Sequence, residues 1–550
     1  APASSAEPFV LHPEVQRGAR LLERAKGPEV HGLLRRMLGL WDVADPAQIE
    51  AALRSYAEAP ATSPAHRVYA KVLLSEVRTR RGDVQGASAL VEPLGFVDRW
   101  MFVGPFDNEN RTGLSIARQP EQELAEPIVP GRAFDGKERP VRWRNPPEVR
   151  TGMLLDLGAY LRPRESVCGY AVSFVELPKP TELGLHLGVD GAFKLWVGAE
   201  LVLEDAAYRG FDVDRAGALV ALGAGVHRIT VKLCSDTSSP KVALRLSDAK
   251  GAPREGLALG ADPAWSERAS ARLRSEKPAA KQGAAQPKKP AQFGPVAAFE
   301  ALVAAPKPRA ADLEAYARYL VATRGNPIGE HRARDLAARA AELEPTVERL
   351  LLAAELAEDR NRARGWLDRA WPLVADTRER VALTLAEARH ARGGIHWPDA
   401  VPHYDAALKL DPDNVVAVLG RADLHVQAGL PRTALAILEA AVARQPRSLA
   451  LLRAQAVQLR AVGRDTEADE VEARWYAYRA DDSAFAAKQL SRAVARRDTA
   501  LAERWLDRLT RTEPDVVHAR SVAAETWRAL GERVRARRAL ESALEVAPED

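Results

Sequence analysis

Hydrophobic residues follow two different periods along this chain. Over residues 9–98 and again over 297–550, apolar positions recur at the three- and four-residue steps of an amphipathic helix. Between 99 and 262 the pattern changes to the alternation of short strands, as in Tyr170 to Val175 and His227 to Leu233. The pattern therefore predicts a helical chain that is interrupted by one β domain.

The helices towards the C-terminus repeat with a fixed period. One alanine returns every 34 residues, and twelve residues after it comes a helix-ending position that is proline in four of five cases. A small residue lets two helices cross closely, proline cannot continue the hydrogen-bond ladder, and glycine tolerates the positive φ of the turn. The alanines are Ala400, Ala434, Ala468, Ala502 and Ala536, the helix-ending positions are Pro412, Pro446, Ala480, Pro514 and Pro548, and the turn glycines are Gly429, Gly463 and Gly531.

This repeat resembles the tetratricopeptide (TPR) family, whose unit is a 34-residue helix-turn-helix. The segments 404–412 and 538–548 are similar to the second helix of such a unit, and Gly82 with Ala87 keeps the same offset near the other end. Arg497 departs from the pattern because it replaces a turn glycine. The resemblance implies an α-solenoid that binds partners along a groove lined by the first helices.

The predicted strands resemble a second family. The turns at 190–191, 196–198 and 223–225 are similar to those of galactose-binding-like jelly rolls, which occur as sugar-binding sandwiches in many glycoside hydrolases. Residues 100–108 are similar to the first strand of such modules in large exported bacterial repeat proteins. This resemblance implies an antiparallel β-sandwich.

Together these patterns predict a multidomain α + β fold, an α-solenoid of TPR-like helix pairs interrupted by an antiparallel β-sandwich (jelly roll). The predicted domains are a disordered tail (1–8), helical TPR-like hairpins (9–98), the galactose-binding-like sandwich (99–262), a helix end with an Ala/Pro/Lys linker (263–296), degenerate helical repeats (297–380) and a regular TPR array (381–550).

Charge and hydropathy narrow the classes of partner. The chain has 79 basic and 75 acidic residues, a formal net charge of +4, which does not favour a nucleic-acid partner. No apolar run reaches the length needed to span a bilayer, so no membrane span is expected. The sequence starts at Ala1 with a small, polar stretch, like the tail left when a signal peptide is removed. We therefore expect a periplasmic or secreted protein, with membrane anchoring through a removed N-terminal segment as a variant of this hypothesis. A cytoplasmic protein is the alternative, since a trimmed sequence would begin in the same way.

The two cysteines, Cys168 and Cys234, lie at the ends of two predicted strands. If these strands are antiparallel neighbours, the cysteines meet and can form a disulfide. Two separate buried thiols are the alternative, since free cysteine behaves as a small hydrophobic residue.

No catalytic or cofactor motif is present, including nucleophile elbows, phosphate loops and zinc-binding helices. His390, His396 and His403 are spaced by six and seven residues, whereas ligation from one helix face needs three or four. We therefore predict no enzyme activity, no cofactor and no metal site.

The repeats and the sandwich each offer candidate binding residues. Groove-facing positions in the 34-residue frame could bind a peptide or form a solvated polar face, and sugar-binding groups in the sandwich compete with core and turn roles. The groove positions are Asp423, Gln427, Arg453, Arg460, His518, Glu525 and Arg528, and the sugar-binding candidates are Trp143, Asp107 and Asn108.

Three functions follow from these features. The first hypothesis is a non-catalytic scaffold that binds a protein or peptide segment in the TPR groove, with the sandwich as an accessory domain. The second is a carbohydrate-binding protein that acts through the sandwich on a glycan. The third is the non-catalytic front part of a larger enzyme, with a transglutaminase-like domain beyond residue 550.

Overall fold

A computed structural model of the chain describes residues 12–146, 153–237, 239–254, 256–275, 290–323, 329–394, 397–513 and 515–548. The predicted tail (1–8), residues 276–289 of the predicted helix end and linker, His396 and Pro514 lie outside these residues. The chain forms two compact units. The first contains Ala1–Thr62, Ala301–Ala322 and Glu330–Arg479, and the second contains Ser63–Glu300, Thr323–Gly329 and Ala480–Asp550.

The helices and strands follow the predicted order, helices first, then strands, then helices again. The helices are α1 (Pro13–Arg24), α2 (Glu29–Gly39), α3 (Pro46–Glu58), α4 (Pro64–Arg80), α5 (Val84–Val91), α6 (Gln119–Gln122), α7 (Pro263–Ser275), α8 (Pro295–Val303), α9 (Ala310–Ala322), α10 (Gly329–Leu343), α11 (Val347–Glu355), α12 (Arg360–Ala370), α13 (Thr377–Arg392), α14 (Val401–Leu410), α15 (Val415–Gln427), α16 (Pro431–Arg444), α17 (Leu449–Ala461), α18 (Asp465–Tyr476), α19 (Ser483–Arg496), α20 (Thr499–Thr512), α21 (Val516–Ala529) and α22 (Arg533–Val546). The strands are β1 (Met101–Asp107), β2 (Phe134–Asp135), β3 (Pro140–Val141), β4 (Leu155–Asp156), β5 (Val167–Leu177), β6 (Thr181–Val189), β7 (Gly191–Val197), β8 (Glu200–Arg209), β9 (Ala216–Leu222), β10 (Gly225–Ser235), β11 (Lys241–Ser247), β12 (Ala258–Gly260) and β13 (Ala291–Phe293). The predicted multidomain α + β fold class is confirmed.

In the first unit, the repeat positions have the local structure that their residue types predict. Ala400, Ala434 and Ala468 are completely buried where paired helices cross. Gly429 and Gly463 have φ of +74° and +81°, the left-handed conformation that glycine adopts without a steric penalty. The paired helices α13–α14, α15–α16 and α17–α18 therefore follow the 34-residue frame.

In the second unit, the same frame continues through α19–α22. Ala502 and Ala536 are buried, and Gly531 has φ of +85°. Arg497, which replaces the turn glycine, still adopts the left-handed conformation, with φ of +51°. The turn geometry is thus kept where the residue type departs from the pattern.

The N-terminal helices divide between the two units. In the first unit, Gly32 of α2 lies against α9, because a Cβ at Gly32 would be 3.6 Å from the Cα of Tyr319. The buried Trp41 donates from Nε1 to the carbonyl oxygen of Tyr478 at 3.2 Å, which places the end of α2 beside the end of α18. In the second unit, the Tyr69 hydroxyl of α4 donates to Asp212 at 2.7 Å.

Two antiparallel sheets form the β-sandwich of the second unit. One has the strand order β1-β5-β10-β7-β8, with β12 also paired to β5, and the other has the order β13-β9-β6-β11-β4. A continuous apolar core lies between them. Residues from α21 and α22 join this core through Val516, Val517, Val546 and Ala547. The last helices of the chain are therefore anchored on the sandwich.

The two cysteines meet in the first of these sheets. Strand β10 pairs with β5 in an antiparallel register that places Cys234 directly opposite Cys168. Their sulfur atoms form a disulfide, and both side chains are buried. The two strand ends therefore meet in the antiparallel arrangement that the sequence allowed.

A two-cavity face on the first helices of the repeats

The seven predicted groove residues do not lie in one unit. Asp423, Gln427, Arg453 and Arg460 belong to the first unit, whereas His518, Glu525 and Arg528 are exposed on α21 of the second. The backbone N–H of His518 is used to cap α21, since it donates to Asp515 at 2.9 Å. Of the four residues in the first unit, Asp423 and Arg453 line one or both of two cavities, whereas Gln427 and Arg460 line neither.

The first cavity has a volume of about 420 Å³. Apolar side chains of α15, with the Tyr404 ring of α14 and Leu438 of α16, form most of its wall. Arg389 and Arg392 of α13 supply positive charge, and Asp423 of α15 supplies one negative charge. Val416, one of the α15 residues, is 38% exposed. The cavity thus combines an accessible apolar wall with a basic rim.

The second cavity has a volume of about 400 Å³ and lies mainly on α17. Its apolar part includes Val457, which is 56% exposed, and the ring of Trp475. Arg453 and Arg479 supply positive charge, and Asp42, from the short helical turn after α2, completes the wall. A segment from the start of the chain therefore helps to form a cavity on the repeats.

The two cavities are successive copies of one position in the repeat. Each of four residues that line the first has a counterpart 34 residues later in the second. The pairs are Val416 and Ala450, Leu419 and Arg453, Gly420 and Ala454, and Asp423 and Val457. The face formed by these residues and by Gln458, called here the two-cavity face, is thus a consequence of the repeat itself.

Three residues, Asp423, Ala454 and Gln458, line both cavities. Gln458, which lines both cavities, is only 9% exposed. Its Oε1 atom accepts no hydrogen bond from any of the residues that the structure describes. A buried carbonyl oxygen without a donor is costly, by about 1–3 kcal/mol, so this atom is suited to accept a hydrogen bond from a ligand.

The charges around the cavities are only partly neutralised. Arg392 forms an ion pair with Asp423, and Arg479 forms one with Asp42 at 3.2 Å. Arg389 and Arg453, in contrast, form no ion pair with the described residues; the Arg453 guanidinium lies 6.0 Å from the centre of the Trp475 ring. One uncompensated cation therefore stands at each cavity.

Arg460 does not take the role predicted for it. Its guanidinium donates to Glu472 at 3.0 and 2.6 Å and to Asp469 at 2.5 Å. The hydrogen bond to Glu472 raises the pKa of Arg460 and the neighbouring carboxylates add to the effect. Arg460 therefore joins α17 to α18 and is not available to a ligand. Gln427 is exposed, and its side-chain amide donates a long hydrogen bond of 3.5 Å to the Asp423 carboxylate.

The sandwich residues predicted to bind sugar are placed differently from the prediction. Trp143 is 5% exposed inside an apolar cluster, so its indole has no face on which a sugar could stack. Asn108 is 1% exposed and donates to Ser235 O at 2.8 Å, while its Oδ1 accepts from the Gly113 N–H and the Tyr208 hydroxyl. Asp107 is half-buried, 3.7 Å from the ammonium of Lys137. The first two are structural residues of the sandwich.

A serine, a histidine and an aspartate also meet inside the sandwich. His186 Nε2 lies 2.8 Å from Ser247 Oγ, and its Nδ1 lies 3.5 Å from Asp214. The Ser247 hydroxyl donates its hydrogen to Asp248 O, so it accepts from the imidazole instead of giving it a proton. All three side chains are buried, and Arg245 also binds the Asp214 carboxylate. This cluster is arranged to satisfy buried polar groups, since a serine nucleophile would have to donate to the histidine.

Clusters of metal ligands and membrane-spanning helices are both absent from the described residues. These residues contain no group of three or more His, Cys, Asp or Glu side chains that could hold a metal ion. Within the same residues, no helix is long and apolar enough to cross a membrane.

Sequence reasoning missed Gln458 of the two-cavity face and two further residues that line its cavities, Arg389 and Asp42. Arg389 lies 34 residues before Asp423, so extending the frame back by one repeat would have found it. Gln458 follows a groove position directly, but nothing in the sequence marks its amide as buried and unpaired. Asp42 comes from a distant segment, and no local pattern indicates its position.

Among known proteins, the repeats of this chain are similar to a known repeat family. Residues 396–457, which include α14–α16 and part of α17, match the tetratricopeptide repeat family. No curated protein matches the chain. The solved structure of "Human IFIT1 dimer with PPP-AAAA" is similar over 46% of this chain and 68% of that chain, with 14% identity and a TM-score of 0.30, too low to carry an argument. The family match thus covers much of the two-cavity face, including Val416, Leu419 and Arg453.

Proposed function

We propose that the protein is a non-catalytic interaction scaffold that holds a segment of a partner protein along the two-cavity face. The observation that carries the proposal is the pair of cavities, about 420 and 400 Å³, repeated with the 34-residue period. Pockets of this size with apolar walls and a few polar groups are typical of ligand sites. Two of them in succession suit neighbouring side chains of one bound chain.

Exposed apolar side chains support the same proposal. Val416 lines the first cavity and Val457 lines the second, and both keep much of their surface in water. A partner that covers them gains the free energy of burying that surface, about 25 cal/mol per Å². A purely solvated polar face, the alternative considered from the sequence, does not need such residues.

The sandwich acts in this proposal as a support for the end of the repeats. Its core includes residues of α21 and of the end of α22, so the last repeat of the second unit is packed on it. The similarity to galactose-binding-like jelly rolls, glycan binding and a catalytic domain beyond residue 550 stay predictions. The burial of Trp143 and Asn108 gives glycan binding no support at those two residues.

We also propose that the protein works in the periplasm or outside the cell. The disulfide between Cys168 and Cys234 supports this location, because structural disulfides persist in oxidising compartments and are rare in the cytosol.

Capture experiments with the full chain test the scaffold function. Ala454 lines both cavities, so Ala454→Phe fills them without changing charge, whereas Ala443→Phe adds the same ring to an exposed position of α16. Partners captured from a native extract by the wild type and by Ala443→Phe, and lost with Ala454→Phe, would support the proposal. If every captured protein is retained by Ala454→Phe, the two-cavity face is not the binding site.

A further inference from the structure

The charge around the two-cavity face indicates which kind of segment it takes. We propose that the face binds an extended, acidic segment of a partner protein, with an apolar side chain in each cavity and carboxylates beside them. This inference rests on the proposed function and specifies the chemistry of its ligand.

The anionic character of the ligand follows from the two unpaired arginines. Asp423 neutralises the charge of Arg392, and Asp42 neutralises the charge of Arg479. What remains is Arg389 at the first cavity and Arg453 at the second, neither of which has an ion-pair partner among the described residues. A carboxylate beside each cavity would meet a guanidinium, which can bind it through two parallel hydrogen bonds.

The extended conformation follows from Gln458. Gln458 lines both cavities, and its buried Oε1 accepts no hydrogen bond from the described part of the chain. A backbone N–H of an extended ligand, passing from one cavity to the next, is the donor this atom requires. A helical ligand would have most of its N–H groups engaged in its own hydrogen bonds.

The spacing of the cavities sets the spacing of the apolar anchors. The cavities lie on α15 and α17, the first helices of successive repeats, and neighbouring helices pack about 8–10 Å apart. An extended chain advances about 3.3 Å per residue. The two anchoring side chains are therefore separated by about three positions in the ligand sequence.

This inference can be tested on the full chain by selection from a displayed library of random peptides. The peptides are about twelve residues long, so that they span both cavities. Peptides are selected on the wild type, and those that Ala454→Phe also binds are discarded. The remaining peptides are measured by fluorescence anisotropy against Arg389→Glu/Arg453→Glu. The matched control is Lys409→Glu/Arg432→Glu, which makes the same charge change at exposed positions that line neither cavity.

The expected result is a set of peptides rich in Asp and Glu around apolar residues about three positions apart. They should bind Arg389→Glu/Arg453→Glu about tenfold more weakly than the wild type and the control equally well. Gln458→Leu, which keeps the volume and removes the amide, should weaken the same peptides about fivefold.

Two other results would overturn the inference, and they differ from each other. Peptides that depend on Ala454 but lack acidic residues, and that bind Arg389→Glu/Arg453→Glu as well as the wild type, would refute the acidic ligand and leave the scaffold function intact. A selection in which no peptide distinguishes the wild type from Ala454→Phe would refute the scaffold function together with the inference.

Discussion

Removing the disulfide should destabilise the sandwich by an amount that its position in the chain allows us to calculate. Cys168 and Cys234 are 66 residues apart in sequence, and in the chain-entropy model closing a loop of that length removes about 15 cal/mol/K from the unfolded state. At 25 °C this corresponds to about 4 kcal/mol. Cys168→Ala/Cys234→Ala should therefore lower the free energy of unfolding of the sandwich by about that amount.

Amide hydrogen exchange measures this change locally, which is necessary because the chain has two units and one global transition is not assured. The amides of β5 and β10, the strands joined by the disulfide, should exchange about a thousandfold faster in the double variant, since each 1.4 kcal/mol corresponds to a factor of ten. Peptides from α15, in the first unit, should exchange as in the wild type.

The single variants separate the cross-link from the packing of the sulfur atoms. Both cysteines are buried, so each Cys→Ala change also leaves a small cavity that costs on the order of 1 kcal/mol. The cross-link is lost with the first substitution, and the double variant should therefore be only slightly less stable than either single variant. Additive effects of the two substitutions, or a double variant within about 1 kcal/mol of the wild type, would refute the cross-link argument.

Two further predictions concern a buried ion pair and a pH-dependent helix cap. Arg245 donates to Asp214 at 3.0 and 2.5 Å, and both side chains are buried. Arg245→Met should therefore destabilise the sandwich by about 3–5 kcal/mol in thermal denaturation, and adding Asp214→Asn should recover part of that loss. A loss below about 1 kcal/mol for Arg245→Met would contradict this prediction. His12 caps α1 because its Nδ1 accepts a hydrogen bond from the Glu14 N–H. Burial lowers the pKa of His12 below the ordinary value of 6.5. The stability that this cap contributes is therefore complete above pH 6.5 and is lost as the pH falls through the lower pKa of the folded state. Amide protection of residues 13–24, corrected for intrinsic exchange, should therefore fall as the pH is lowered below about 6.5. The fall should be absent in His12→Asn, which keeps an acceptor that does not titrate, and an equal fall in both proteins would rule out His12 as the cause.

Much of the local structure was predictable from the sequence, because it depends on neighbouring residues and on one repeated contact. The 34-residue period predicted the buried alanines and the turn glycines, since each repeat packs mainly against the next one. Alternating apolar residues predicted the strands. The proximity of Cys168 and Cys234 could be anticipated as well, because both lie at strand ends that meet when the strands are antiparallel.

The candidate site was predictable only in part. The frame located Asp423 and Arg453 on the two-cavity face, because helical periodicity determines which side chains share a face. It did not show that Arg460 is held by Glu472, since two residues on different helices must be brought together before their charges interact. The same reason applies to Trp143, whose burial results from packing against other parts of the sandwich.

The division of the chain was decided by tertiary structure alone. The N-terminal helices look alike in sequence, yet α1–α3 belong to the first unit and α4–α5 to the second. The bond from Trp41 to Tyr478 joins residues 437 positions apart, and it brings Asp42 to the second cavity. Sequence periodicity determines which face a helix buries, because that depends on residues within one or two turns. Which distant element covers that face depends on shape and on hydrogen bonds between whole segments, and these exist only in the folded chain.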